Sequence, residues 1–510
     1  MQWLNTIVEE LIAHHHADTI LVESGGSPSG TYHLGHLREL VICDAIVLEL
    51  KKRGYAAEHV YFVDDLDALR KIPLNIPEDF SQYLGMPLCD VPAPDGSDQS
   101  YADYFLAGLQ KACTDLGIEL TFMRSHEKYR SGFFVPVIER CLARLEVIRA
   151  ALADISNRQL PDDWTPIQVM DNGRLKNRKF VNIDEADKTI VYENNEGIAK
   201  SVQYDKGEVK LDWRLDWPGR WWLMGVDVEP FGREHASAGG SYDTGVRMMK
   251  DVYEARAPLP VPYDSIHMVG DTKKMSASKG TAVSANEGLQ LLPSEVIRFF
   301  MLRSALNRPV YFDPVNGVVQ LIDDFAALAA KSERSESEEQ LYFICTGGID
   351  KRTISSIPFS LLVASYQAAL MNKDRTVEIL GRTEYASVVR DDAEIIKNEL
   401  TFIDTWLSKQ APEDVKFSLN DSIDASVFNE KEKLFLSQLA DAITKAPEDA
   451  DGNWFHQVIY SQKDSTGMEP KDMFRTLYRV LIGKDSGPRA GWFLSILPRD
   501  WLIQRLRLEA

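Results

Sequence analysis

The chain of 510 residues predicts an α/β fold: a parallel-sheet domain carrying a small antiparallel β insertion, followed by an all-α second domain. Three observations predict it. Near the N-terminus the apolar runs Thr19 to Val22 and His59 to Val63 flank a helical stretch from His33 to Lys52, the strand–helix–strand pattern of a parallel unit. From Trp164 to Leu211 the pattern shortens to alternating segments with turn signals, Asp171-Asn172-Gly173 and Asn194-Asn195-Glu196-Gly197, and Asn-Gly between apolar runs predicts a hairpin. Beyond Pro293 apolar residues recur at helical spacing in 355–371, 391–407, 431–445 and 491–507.

Taken in order, residues 3 to 16 read as an amphipathic helix with Trp3, Leu4, Ile7, Val8 and Leu11 on or near one side. The first strand, the helix to Lys52 and the second strand then form the parallel unit, which places ligands at the C-terminal ends of its strands. Residues 73 to 99 are rich in Pro, Asp and Gly and read as a surface excursion; helix returns at Tyr101 to Leu116 and at Phe133 to Leu152, with a strand at Glu119 to Met123 between them. After the insertion, Trp213, Trp217, Trp221 and Trp222 read mainly as core. The sheet resumes at Gly225 to Glu229, a helix follows at Thr244 to Arg256, and the strand Ser265 to Val269 leads into a lysine-rich loop. The Ser/Glu-rich run from Lys331 to Glu339 reads as a turn.

Composition narrows the class. A formal net charge of −20 argues against a general nucleic-acid coat protein, which neutralises phosphates with a basic surface, but leaves room for local basic patches. Five scattered cysteines with no Cys-x-x-Cys pair suit free thiols in a reducing cytoplasm. There is no basic and apolar leader pattern and no run of eighteen apolar residues, so a cytoplasmic protein with no membrane partner is expected. His14-His15-His16 reads as a solvated face.

The stretch from Thr19 to Leu40 has the makings of a nucleotide site. Gly25, Gly26 and Gly30 leave the backbone open to a phosphate, and Pro28 stiffens the turn. His33 and His36 stand three apart at a helix start, whose free N–H groups and dipole favour an anion. A second stretch, Lys273-Lys274-Met275-Ser276-Ala277-Ser278-Lys279-Gly280, joins lysines to small hydroxyl residues able to reach a departing pyrophosphate. Asp64, Asp65 and Asp67, at the end of the second strand, allow two readings: a Mg²⁺ site, or a helix start with ordinary ion pairs.

His33-Leu34-Gly35-His36 followed by Lys274-Met275-Ser276-Ala277-Ser278 resembles the paired signatures of class I aminoacyl-tRNA synthetases. Ser27-Pro28-Ser29-Gly30, residues 213–221 (WRLDWPGRW), 229–236 (EPFGREHA) and 239–245 (GGSYDTG), together with the lysine loop, resemble the lysyl type of that class, from about Thr19 to Arg303. The resemblance implies a Rossmann-type catalytic domain over 1–290, with its insertion at about 160–211, and a helical tRNA-binding, anticodon-reading domain over 291–510. It implies ATP-dependent joining of L-lysine to tRNA(Lys) through a lysyl-adenylate, with ATP entering as its Mg²⁺ complex.

By the same resemblance His33, His36, Lys274 and Lys279 are the catalytic group. Gly25, Ser27, Pro28, Ser29, Gly30, Gly35, Met275, Ser276 and Ser278 bind ATP, and Glu23, His235, Tyr242, Asp243 and Tyr263 bind the amino acid. One position departs from the class-wide pattern: Ala277 stands where the second lysine usually falls, and Lys279 follows the second serine instead, a variant that the lysyl type shares. No protein metal ligand is expected, and no zinc, because the insertion has neither cysteine nor histidine where some relatives carry a cysteine site.

Glu23 carries the specificity reading. Glutamyl-type relatives have an arginine at the corresponding place, and an acid there suits a cationic substrate; the other reading is a bond from Glu23 to backbone N–H groups of the following turn. Lys484, Arg489, Arg499, Arg505 and Arg507 either touch RNA phosphates or solvate a surface. The alternatives are a class I synthetase for another amino acid, a small-molecule nucleotidyltransferase with the same histidine turn, and a non-catalytic tRNA-binding paralog.

Overall fold

The structure, a computed structural model, describes residues 1–14, 18–156, 160–161, 164–270, 283–349, 353–420, 422–447 and 450–509. They fall into two compact units, the first comprising Met1–Leu289, Ile297–Phe312 and Ser335–Ile349, the second Gln290–Val296, Asp313–Arg334 and Asp350–Ala510.

The first unit opens with α1 (Gln2–His14), β1 (Ile20–Gly26), α2 (Leu34–Lys52), β2 (Ala57–Val63), α3 (Tyr101–Leu116) and β3 (Thr121–Arg124). The expected helix over 133–152 is divided: after α4 (Ser125–Arg130) come α5 (Val135–Ala143) and α6 (Leu145–Ser156), separated at Arg144, whose φ of −110° and ψ of 25° leave the helical range.

The insertion is antiparallel. β4 (Ile167–Asp171), β5 (Arg174–Lys176), β6 (Lys179–Asp184), β7 (Thr189–Glu193), β8 (Ala199–Gln203) and β9 (Val209–Leu211) form two three-stranded sheets, in the orders β5-β4-β9 and β6-β7-β8. Asn172 and Gly173 close the β4–β5 hairpin at φ of 53° and 72°, the left-handed pair that a two-residue primed turn demands.

The tryptophan-rich stretch is helical, α7 (Trp213–Met224), and is followed by β10 (Val228–Gly232), α8 (Ser241–Asp251) and β11 (Leu259–Tyr263). The main sheet has the order β11-β10-β1-β2-β3 with every pair parallel. β11, Leu-Pro-Val-Pro-Tyr, escapes a sequence reading because its prolines argue against a strand; it lies at the sheet edge, where a missing N–H costs no ladder bond. The strand expected at 265–269 does not extend this sheet. It is β12 (Ile266–Met268), paired in parallel with β13 (Val310–Phe312) in a sheet of its own.

Burial explains the arrangement. α2 is apolar on nearly every side, and its residues from Leu40 to Val47 are all buried, as befits a central helix. Trp217 and Trp221 are buried with Phe62, Phe134 and Phe231 in a core that includes the first sheet of the insertion. Each indole removes on the order of 200 Å² from water, about 5 kcal/mol of transfer free energy at 25 cal/mol per Å².

The second unit is helical, with helices at Phe359–Ala368, Lys373–Leu380, Ala386–Lys409, Glu430–Thr444, Gly452–Ser461, Pro470–Ile482, Ala490–Ile496 and Arg499–Leu506. The expected helix over 491–507 is two helices, because Pro498 cannot continue the first. The Ser/Glu run holds a helix start as well as a turn: Ser335 and Glu338 reciprocally cap the helix Glu336–Cys345, which belongs to the first unit. Among the described residues no helix is long and apolar enough to cross a membrane.

Candidate active site

β1, β2, β10 and β11 run parallel, so their C-terminal ends, Gly25-Gly26, Val63-Asp64, Gly232 and Tyr263, converge on one edge of the sheet. Gly25 is required there by close approach: a Cβ would stand 2.8 Å from the carbonyl oxygen of Phe62.

His33 and His36 flank the start of α2. His33 is the N-cap, with φ −120° and ψ 171°, rather than the first helical residue; its Nδ1 accepts the Gly35 N–H at 3.1 Å. His36 Nδ1 accepts the His33 N–H at 3.0 Å, and the two rings stand 3.9 Å apart. An accepting Nδ1 puts the proton of a neutral imidazole on Nε2, so both rings are set as Nε2–H donors. Gly35 permits this fold-back, since a Cβ there would lie 2.8 Å from His33 Cε1.

Two cavities meet at this edge. The first, about 230 Å³, is lined by His33, Gly35, His36, Tyr61, Ser265 and Ile266. The second, about 210 Å³, is lined by Asp64, Trp213, Trp217, Arg220, Glu229 and His235. Gly25, Glu39, Gly232, Glu234 and Tyr263 line both, so the cavities join along that wall.

The second cavity is acidic with aromatic walls. Burial lifts the Glu229 carboxyl to about 8, although Trp217 Nε1 donates to both of its oxygens at 2.8 Å and Trp221 Nε1 donates as well. Burial likewise lifts Glu39 to about 7, against a bond from the Tyr263 hydroxyl at 2.6 Å and one from the Gly25 N–H at 3.2 Å. Asp64 rises to about 6 by burial, with Arg220 opposing. A cation set against such carboxyls favours their ionised forms.

Of the residues expected from sequence, Gly25, His33, Gly35, His36, His235 and Tyr263 come together on these walls. Ser27, Pro28, Ser29 and Gly30 form the turn between β1 and α2, where the Tyr101 hydroxyl donates to the Ser29 carbonyl at 3.1 Å, and are not part of either lining. Tyr242 spends its hydroxyl on the Pro258 carbonyl at 2.8 Å, and Asp243 accepts the Gly239 N–H at 2.9 Å; neither is part of the lining of these two cavities. Glu23 is wholly buried behind the wall, 3.6 Å from Arg220 Nε, and neither of its oxygens has a hydrogen-bond partner among the described residues, so the backbone-capping reading does not hold.

Lys274, Met275, Ser276, Ser278 and Lys279 lie outside the described residues. The chain on either side is anchored nearby: the Val269 N–H donates to the Phe312 carbonyl, and Val283 and Ser284 pair with Leu34 and His33.

The three aspartates after β2 take separate partners. Asp64 faces Arg220; Asp65 accepts from Ser125 and the His126 N–H at 2.9 Å and pairs with Arg124; Asp67 lies 3.6 Å from Lys210. The geometry carries the ion-pair reading of this cluster. Sequence reasoning missed Glu39, Arg220, Glu229, Glu234 and the lining role of Trp213 and Trp217. Glu39 had a signal, since it stands three residues after His36 and so shares its helical face.

The profile of the family described as tRNA synthetases class I (K) matches residues 1–344. A lysine–tRNA ligase of Archaeoglobus fulgidus is 33% identical over 511 residues, covering 99% of each chain. Lysine–tRNA ligase 1 of Methanosarcina acetivorans is 32% identical, covering 99% of this chain and 98% of its own. The lysine–tRNA ligase of Methanocaldococcus jannaschii is 34% identical over the full length of both. With its histidine turn set at the C-terminal edge of a parallel sheet, and with relatives matched from end to end, this chain belongs to the class I (K) tRNA synthetases.

Proposed function

We propose that this protein is a lysine–tRNA ligase, joining L-lysine to tRNA(Lys) in the cytoplasm at the expense of ATP. One observation carries the reading: two joined cavities, with a pair of Nε2–H donors at one end and carboxylates between aromatic walls at the other. Lysine is an acid at one end and a cation at the other, and it matches that polarity. Its carboxylate lies toward His33 and His36, and its alkyl stem runs between Trp213, Trp217 and Tyr263. Its two ammonium groups meet Glu39 and Glu234 at the junction, and Glu229 with Asp64 at the far end. A buried acid left unpaired by an uncharged side chain penalises that side chain, which is the physical basis of rejection.

In the first step a lysine carboxylate oxygen attacks the α-phosphorus of ATP, supplied as its Mg²⁺ complex; the bond to the bridging oxygen breaks and pyrophosphate leaves. His33 and His36 donate to the phosphoryl oxygens as charge builds there. Lys274 and Lys279, with Ser276 and Ser278, follow the β- and γ-phosphates, and Met275 anchors their loop. In the second step a ribose hydroxyl of the terminal adenosine of the tRNA attacks the carbonyl carbon, and AMP leaves. Catalysis is positioning and electrostatic stabilisation, with no covalent protein intermediate. Residues 1–290 carry this chemistry, and the helices of 291–510 hold the tRNA and read its anticodon.

Charging of tRNA with radiolabelled lysine tests the reading. Acid-precipitable lysyl-tRNA that forms only with ATP supports it; charging with a different amino acid overturns the lysine assignment.

A further inference from the structure

Among the described residues that line the two cavities Arg220 is the one guanidinium, and its surroundings are unusual. It projects from α7 into a ring of carboxylates. Its two terminal nitrogens face the two oxygens of Asp64, each at 3.4 Å, in the forked geometry of an arginine–carboxylate pair. Its Nε lies 3.6 Å from Glu23 and 3.7 Å from Asp216, and its flat face covers the Phe62 ring at 4.4 Å.

The socket has more acceptors than Arg220 uses. Both Glu23 oxygens, one Asp216 oxygen and the Nε of Arg220 itself have no hydrogen-bond partner among the described residues, although all are buried. Asp216 is otherwise held by Lys210 and by the Tyr129 hydroxyl at 2.6 Å. The result is a planar cation site bounded by three carboxylates and an aromatic face, filled by the protein's own side chain.

We propose that Arg220 makes the acidic end of the cavity selective for an alkyl-ammonium over a guanidinium, by occupying the flat socket formed by Glu23, Asp64 and Asp216. A compact ammonium needs only the carboxylates left facing the cavity, Glu229 and the outer edge of Asp64. A substrate guanidinium needs the fork that Arg220 already fills and meets a like charge there. The assignment rests on the lysine reading above and adds the residue that separates lysine from arginine.

The test compares lysine- and arginine-dependent ATP–pyrophosphate exchange, in the presence of total tRNA, for the full chain and three variants. Arg220→Ala and the double variant Arg220→Ala with Glu23→Gln, which removes the charge left behind, empty the socket. Each is expected to lower the lysine-over-arginine ratio of kcat/KM by roughly tenfold or more, the worth of one charge-assisted contact. Added guanidinium ion at millimolar concentration is expected to raise the lysine-over-arginine ratio of Arg220→Ala back toward that of the full chain, and methylammonium is not. Arg220→Lys keeps a buried positive charge against the carboxylates but leaves the flat socket half empty, so its ratio also falls.

An unchanged ratio in Arg220→Lys, or a folded Arg220→Ala that guanidinium does not rescue, overturns the proposal. The unmodified chain separates this from the functional reading: if it activates another amino acid the lysine assignment fails, and guanidinium rescue with that amino acid still decides the socket.

Discussion

Lysine binding should weaken steeply as the pH falls from about 8.5 to about 6, and the structure sets the size of the effect. Burial disfavours the charge of Glu229 and raises its carboxyl to about 8, and it lines the cavity where the ammonium is placed. The ammonium binds the ionised form, so below that pH a proton must leave first. For a group titrating near pH 8 the cost at pH 6 is about 3 kcal/mol, at roughly 1.4 kcal/mol per pH unit, or on the order of eighty-fold in affinity between the two pH values. Glu39, at about 7, adds roughly another tenfold if its proton is also displaced. Lysine keeps both ammonium groups over most of this range. Isothermal titration in two buffers of different ionisation enthalpy measures the protons released on binding as well as the affinity. About one proton or more should leave near neutral pH, and Glu229→Gln should flatten the affinity profile and reduce the release. A dissociation constant independent of pH from 6 to 8.5, with no proton released, would refute the placement of the ammonium against these acids.

The same carboxyls shape stability in the opposite sense. Their folded pKa values lie above the unfolded ones, so the folded protein holds extra protons from about pH 4.5 to 8, and stability declines as pH rises through that window; Glu229 contributes on the order of 5 kcal/mol to the decline, which Glu229→Gln should remove from urea-unfolding curves. Tyr263→Phe deletes the hydroxyl that donates to Glu39 and should raise the KM for lysine roughly tenfold with the KM for ATP unchanged, measured by exchange kinetics. His36→Ala should cut the exchange rate on the order of a hundredfold, the loss of one donor to a developing oxyanion, and a loss of less than about threefold would count against its role. Lys210→Met leaves Asp216 buried without its main counter-ion and should cost about 3–5 kcal/mol in thermal or urea unfolding; a gain in stability would contradict the ion-pair reading.

Much of the architecture was legible because it rests on local patterns. The β1–α2–β2 unit, the antiparallel insertion with its Asn-Gly hairpin and the helices of the second unit follow from periodicity and turn chemistry. β11 was hidden by its prolines, which only an edge position tolerates, and the partner of β12 was hidden because β13 lies more than forty residues away in sequence. At the site, the histidines, His235 and Tyr263 were readable from motif. Arg220 and Glu229 lay inside quoted stretches, Arg220 among tryptophans that read mainly as core and Glu229 at the end of a strand. Their function depends on which side of α7 and β10 meets the cavity, and that is settled by tertiary packing. Glu23 illustrates the same limit: its charge placed it against the amino acid in the sequence reading, whereas in the structure it stands one layer behind the wall, 3.6 Å from Arg220 Nε.

ATP–pyrophosphate exchange with each of the twenty amino acids in turn, with and without total tRNA, tests the central claim most directly. Exchange with lysine alone, reduced on the order of a hundredfold in His36→Ala, is the predicted result. Exchange driven by another amino acid, or none under either condition, would contradict it.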